Sequence, residues 1–332
     1  MRSRAAAAVL AAITLVAVTT LAEAQPVAKA EAWKDPSPHA SQFISVAQDV
    51  RLEVLDWGGS GRPLVLLAGG GDTAHAFDDF APKLTSDFHV YGITRRGFGE
   101  SGFAPVTSGA ATFGDDVVAV LEALKLPRPI LAGHSIAGQE LSSIGTRYPN
   151  RVAGLVYFDA AYQYAFDNGK VPTFDEISAI GFPQTAPPTE ADLATFDALR
   201  QYYMRVLGFT YAEGELRQKR SVTPEGRVGP PRAFPGGRSL LTTVTKFVEI
   251  RVPALFLVSS QSAGRWAESS TDPKINEQIT AMTALLERQA KSIADALPTA
   301  HVVQLRGSNH YVFLSNEADV LREMRAFVRG LR

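Results

Sequence analysis

Ile130-Leu131-Ala132-Gly133 is a short run without a polar residue, entered through Pro129 and left through His134-Ser135-Ile136-Ala137-Gly138. A run this brief and uniformly apolar fits a strand buried on both faces, which requires layers packed on either side of a sheet. The small residues around Ser135 fit an abrupt change from strand to helix. Such a turn forces unfavourable backbone angles and brings strand and helix close together. It also lifts the serine hydroxyl out of the sheet, within reach of a substrate. The Gly-x-Ser-x-small pattern is weak when read alone, so its meaning depends on whether the chain supplies partners for Ser135.

The surrounding order of elements is that of an α/β protein. Phe43–Val46 and Arg51–Trp57 read as strands, followed by Leu64–Ala68, a second apolar run that stops at Gly69-Gly70-Gly71. His89–Thr94 is a further strand, and Thr112–Leu126 carries Phe113, Val117, Val120, Leu121 and Leu124 at helical spacing. A helix from about Ile136 to Tyr148 follows the Ser135 turn. Val152–Phe158 is a strand ending in Asp159, Leu255–Val258 and Val302–Leu305 are two more, and Glu317–Gly330 is a closing helix. Strands alternating with helices imply a parallel sheet with right-handed crossovers. Between Asp159 and Val252 this rhythm fails. The stretch is rich in Pro and aromatic residues, with 10 Lys/Arg and 10 Asp/Glu from Tyr162 to Ile250. It is expected to be a strand-free helical cap over residues 161–249 that shapes a pocket, leaving residues 43–160 and 250–332 as the core.

The N-terminus has Arg2 and Arg4, an uncharged Ala/Val/Leu-rich run, and Ala22-Glu23-Ala24. This is the order of a secretory signal peptide spanning residues 1–24, with cleavage expected after Ala24 and a secreted or periplasmic product. Residues 25–42 are expected to be a flexible leader. No later stretch is long and apolar enough to span a bilayer, so no stable membrane association is expected after cleavage. The whole chain holds 33 basic and 34 acidic residues, a balance that argues against a nucleic-acid partner. Cysteine is absent, which excludes thiol catalysis and cysteine-ligated metal. The sequence does not give an oligomeric state.

A nucleophilic serine needs a base, and the base needs an orienting group. Of the six histidines, His39 falls in the leader, His75 in a loop, His89 at a strand start and His301 just before a strand. His134 adjoins Ser135, and adjacent side chains in a sharp turn point different ways, so it is expected to be structural. His310 follows the strand Val302–Leu305 through a short loop, which places it at the sheet edge expected for Ser135. Backbone N–H groups must also meet the developing oxyanion. The amide of Ile136 is one candidate, and Gly70, in the glycine loop after Leu64–Ala68, is the other. A phosphate-binding loop does not fit, since no Lys-Ser/Thr follows the glycines. Glu140, on the helix behind Ser135, is expected to brace a loop.

Gly69-Gly70-Gly71, Arg96-Gly97-Phe98-Gly99-Glu100-Ser101, Gly133-His134-Ser135-Ile136-Ala137-Gly138 and Ser308-Asn309-His310 occur in the chain order of the α/β-hydrolase fold family, which the sequence resembles. The likeness is greatest to the single-cap, esterase-like branch. It implies a mostly parallel eight-stranded sheet with helices on both faces, a serine nucleophile, a small ester-like substrate and no metal or organic cofactor. Two departures stand out. Relatives usually carry His-Gly where this chain has Ala68-Gly69. Their acid usually follows the strand read here as Leu255–Val258, where this chain has Ser259-Ser260-Gln261-Ser262, with no carboxylate before Glu268 and Asp272. Some relatives take the acid from the end of the preceding strand, where Asp159 stands. Asp159 is the expected acid, and Asp272 the alternative. The resemblance implies cleavage of a carboxylic ester through an acyl-enzyme on Ser135. Perhydrolysis, lactone opening or C–C hydrolysis at the same site, or a non-catalytic ligand-binding role, are the rival readings.

Overall fold

In a computed structural model, residues 33–106, 109–181, 185–240, 245–260 and 270–331 are described. The expected signal segment 1–24, most of the leader, and Gln261, Ser262 and Glu268 lie outside the described residues. Residues Asp35–Arg332 form one compact unit. Its centre is an eight-stranded sheet in the order β1 (Ala40–Ala47), β2 (Val50–Gly58), β4 (Phe88–Ile93), β3 (Arg62–Leu67), β5 (Ile130–His134), β6 (Gly154–Phe158), β9 (Ala254–Ser259) and β10 (Ala300–Leu305). The first two strands run antiparallel to their neighbours, and the other six are parallel.

The apolar runs behave as their composition requires. Val65, Leu67, Leu131, Leu155, Tyr157, Phe256 and Val258 enter one core, while Leu64, Leu66, Ile130, Ala132, Val156, Phe158, Leu255 and Leu257 enter the other. Strand side chains alternate faces, so only a strand apolar at every position can serve two cores. The first core is closed by α1 (Gly109–Ala123), α2 (Gly138–Arg147) and α6 (Pro273–Ala296), and the second by α8 (Glu317–Arg329) and the turns around Phe77, Phe80 and Leu84.

The stretch between β6 and β9 departs from the expectation of a strand-free cap. Besides α3 (Phe174–Ile180), α4 (Phe196–Leu207) and α5 (Glu213–Lys219) it holds an antiparallel hairpin, β7 (Arg220–Val222) with β8 (Val228–Pro231). Phe196, Leu199, Tyr202, Phe209, Tyr211, Leu216 and Val228 form a small core of their own, against which Tyr311 and Leu314 pack. The expected flexible leader is structured in its described part, before residue 43. β1 starts at Ala40, and Trp57 donates from Nε1 to Ser37 Oγ at 3.0 Å.

Candidate active site

Five neighbouring parallel strands, β3, β5, β6, β9 and β10, end at one edge of the sheet, and each delivers a part of the site. Ser135 follows β5 directly. It has φ +52° and is half-buried, at the start of a 3-10 turn (Ser135–Ala137) that leads into α2. The close approach of this helix explains Gly138, since a Cβ there would collide with the Ala160 carbonyl oxygen. His310 comes from the loop between β10 and the short α7 (Val312–Ser315). Asp159 follows β6 with φ +43° and is fully buried.

These three side chains form one hydrogen-bonded line. His310 Nδ1 lies 2.7 Å from Asp159 Oδ2, and His310 Nε2 lies 2.9 Å from Ser135 Oγ. A carboxylate only accepts, so Nδ1 carries the proton and Nε2 is left to accept from the serine hydroxyl. Asp159 Oδ1 accepts from the Ser259 backbone N–H at 2.9 Å, and Oδ2 also accepts from Tyr162 Oη at 3.0 Å. Burial alone would raise the Asp159 pKa. The His310 ring and the Ser259 amide outweigh it and hold the carboxyl below its ordinary value. Asp272 does not join this line. It is exposed and caps α6, accepting from the Lys274 backbone N–H at 2.9 Å.

His134 is structural as expected, with a specific task. Its Nε2 donates to the His310 carbonyl oxygen at 3.0 Å, and its ring lies against Tyr311 and Phe313. Burial pushes this imidazole below its ordinary value, so it stays neutral and fixes the main chain of His310. Gly69 leaves room for the ring, since a Cβ there would stand 2.6 Å from His134 Nδ1. Gly70 and Ile136 are brought together: a Cβ on Gly70 would stand 3.6 Å from Ile136 Cγ2.

Glu140 does brace a loop, and through a partner. Arg95 Nε and Nη2 bond Glu140 Oε1 and Oε2 at 2.5 and 2.7 Å. The same guanidinium donates from Nη2 to the Ala68 carbonyl at 2.8 Å and from Nη1 to that of Gly69 at 3.2 Å. The glycine loop is thus tied by its carbonyls to the helix behind Ser135.

The same loop is gripped from α5 by a buried cluster that sequence reasoning missed. Asp72 pairs with Lys219 and accepts from Tyr311 Oη at 3.1 Å. Thr73 donates from Oγ1 to Glu215 Oε2 at 2.5 Å. Burial pushes Glu215 up to about 8, against the pull of Lys219 and with that of Asp72. Lys219 keeps Asp72 ionised in spite of its burial. The helical i, i+4 spacing of Glu215 and Lys219 was the available signal, but only the fold shows that this face points inward.

Ser135 and His310 open into a cavity of about 390 Å³ lined by Tyr162, Tyr164, Phe174, Ile177 and Ser178. The lining is mostly apolar and comes from the segment after β6, the position at which the inserted stretch was expected to shape a pocket.

The comparisons with known proteins agree with this architecture. Residues 64–323 match the model of the family described as "Alpha/beta hydrolase family". A protein of Mycobacterium phage D29, carrying a provisional non-heme haloperoxidase name, is 35% identical over 115 residues, which are 34% of this chain and 41% of that one. The chain therefore spans about two fifths of the length of the curated relatives it matches. Among solved structures, E-2-(acetamidomethylene)succinate hydrolase superposes with a TM-score of 0.62 at 17% identity, covering 88% of this chain and all (100%) of the other. An esterase from Rhodococcus sp. ECU1013 gives 0.58 at 18% identity, covering 89% of this chain and 100% of the other. At such identities the structures speak for the fold. The family match spans most of the chain, and this protein belongs to the alpha/beta hydrolase family.

Proposed function

We propose that the chain is a serine hydrolase that cleaves a small, neutral carboxylic ester through an acyl-enzyme on Ser135. The observation that carries this reading is the unbroken line from Ser135 through His310 to Asp159, opening into an apolar cavity. In the first step Ser135 Oγ bonds to the ester carbonyl carbon as its proton passes to His310 Nε2. Asp159 holds the Nδ1 proton and stabilises the imidazolium that forms. The carbonyl electrons move onto oxygen, where the N–H groups of Ile136 and Gly70 meet the negative charge. When the tetrahedral intermediate collapses, His310 returns the proton to the leaving alcohol. Water, deprotonated by the same ring, then attacks the acyl-enzyme, releasing the acid and restoring Ser135.

The aromatic lining supports an acyl or alcohol group with apolar surface. Among the described residues that line the cavity there is no Lys or Arg, which supports an uncharged substrate over a carboxylate-bearing one. Reaction with a fluorophosphonate probe tests the nucleophile. Labelling of the wild type and none of Ser135→Ala is the expected result, and a folded wild type that stays unlabelled would sink the proposal. Product analysis on short-chain esters, lactones and peracid formation then fixes the reaction type, with acid and alcohol from simple esters expected to dominate.

We propose export as well, on the strength of the Arg2/Arg4, apolar run and Ala22-Glu23-Ala24 order. N-terminal sequencing of protein from the extracytoplasmic fraction should begin at Gln25, whereas an intact Met1 there would count against cleavage. Among the described residues no helix is long and apolar enough to cross a membrane.

A further inference from the structure

The loop that begins with the three glycines continues into a second group of titratable side chains, which the reaction above does not use. A 3-10 turn, Ala74–Phe77, presents His75, and Asp78 caps its end. Asp35 and His39, from the segment before β1, meet them there. One ligand atom from each of the four residues lies within 4.8 Å of every other. Asp35 Oδ2 is 3.3 Å from His75 Nδ1, while His75 Nδ1 to Asp78 Oδ2 and His39 Nδ1 to Asp78 Oδ1 are both 2.9 Å. A tetrahedral zinc site with bonds of about 2.0–2.2 Å has ligand–ligand edges of roughly 3.3–3.6 Å, so the two 2.9 Å pairs need only open by about half an ångström.

Two independent observations separate this group from an ordinary ion-pair network. First, Asp35 Oδ2, His39 Nδ1 and Asp78 Oδ1 are shielded from solvent and have no hydrogen-bond partner among the described residues. The side chains of His39 and Asp78 are only 7% and 3% exposed, so these atoms do not turn to water instead. His39 Nδ1 and Asp78 Oδ1 are close, yet they are not aligned as donor and acceptor. Buried polar atoms are almost always hydrogen-bonded, and three such atoms gathered in one cluster call for a ligand. Second, Gly214 of α5 leaves room against the cluster. A Cβ there would stand 2.6 Å from Asp35 Oδ2, 2.7 Å from Asp78 Oδ2 and 3.1 Å from His75 Nδ1. Its backbone is outside the left-handed region, so space and not conformation demands the glycine.

The supporting contacts are those of a built site. Ser37 N–H donates to Asp35 Oδ1 at 2.9 Å, which turns the other oxygen inward. Glu53 Oε1 lies 3.7 Å from His75 Nε2 and is itself fixed by Thr94 Oγ1, which donates to Oε2 at 2.8 Å. Carboxylates behind metal-bound imidazoles are common in this role. A cavity of about 280 Å³, lined by Asp35, Ser37, Asp78, Arg200 and Gly214 among others, lies beside the cluster.

We propose that Asp35, His39, His75 and Asp78 bind one zinc ion as a structural site that staples the segment before β1 to the loop after β3. Two imidazoles and two carboxylates suit Zn²⁺, whereas Ca²⁺ and Mg²⁺ require more oxygen ligands. On binding, the proton at His75 Nδ1 is released to solvent and the ring nitrogen donates its lone pair to the ion. All four protein ligands leave no open position, so the ion takes no part in turnover.

The test is a calorimetric titration of EDTA-treated, dialysed full chain with Zn²⁺ alone, with thermal unfolding followed in parallel. Saturation at one ion per chain is expected, with a midpoint raised by about 5 °C at a hundredfold excess over Kd. His39→Gln and Asp35→Asn, both in the segment before β1, should each weaken binding more than about tenfold while keeping the wild-type circular dichroism. Ser135→Ala should bind as the wild type does, which separates this result from the fate of the hydrolase proposal. No saturable binding and no shift in the wild type would mean an ion-pair cluster or a bound water, and would overturn the site. Equal binding by wild type and both variants would place the ion elsewhere and overturn it too. Should either variant misfold, the wild-type titration and the other variant still decide.

Discussion

Ser135 and Asp159 both hold φ angles that residues with side chains rarely adopt, and each stands at the first position after a buried strand. Strain of order 1–3 kcal/mol at each persists because the strands on either side leave the chain no alternative path. For Ser135 the small neighbours made the turn legible in the sequence. For Asp159 nothing local did, because an acid at a strand end has many structural uses. What places it is sheet order: β6 lies between β5 and β9, so its end adjoins both Ser135 and Ser259. Asp272, the alternative acid on the line of the sequence, caps a helix instead. Asp159→Asn is expected to lower kcat by roughly 10⁴, since the amide would favour the wrong tautomer of His310, whereas Asp272→Asn should leave turnover unchanged. Steady-state kinetics on one ester checks both, and equal mild losses would show that the acid lies elsewhere. The bond from His134 to the His310 carbonyl was illegible for another reason: it joins positions 176 residues apart.

At the scale of elements, the strands that feed the site were readable because burial on both faces writes a continuous apolar run. The hairpin of β7 and β8 was not. Its strands have three and four residues, are partly exposed, and include two prolines, so they carry neither alternation nor an apolar run. The link between α2 and the glycine loop was half readable, as a charge in an unexpected place. Glu140 and Arg95 are 3% and 6% exposed, so removing one partner strands the other. Glu140→Gln is expected to cost about 3–5 kcal/mol in urea unfolding. It should also reduce kcat more than it changes KM, because Arg95 would no longer hold the Ala68 and Gly69 carbonyls in place. A stability loss with kcat intact would limit the pair to a packing role. Gly69→Ala is a sharper probe of the same loop: its Cβ would press on His134, so activity should fall together with stability.

For the whole molecule, the inserted segment and the core are joined by charges as well as by the aromatic contacts around Tyr311. Burial pushes Glu215 up to about 8 in the folded protein, against 4.5, its ordinary value, once unfolded. Between those values the folded chain holds a proton that the unfolded chain has released. Stability contributed by this group is therefore full below about pH 4.5 and declines as pH rises through about 8. Glu215→Gln, which cannot ionise, should flatten that part of the profile when unfolding midpoints are compared at about pH 5, 6.5 and 8.5. An unaltered slope in the variant would assign the linkage to another group. Ser259 meets Asp159 through its backbone N–H. Any residue with an amide proton can make that bond, so the carboxylate places its demand on the main chain at position 259. Ser259→Ala should therefore keep most of the wild-type kcat on one ester in steady-state kinetics, and a loss near that of Asp159→Asn would show that the side chain is needed as well.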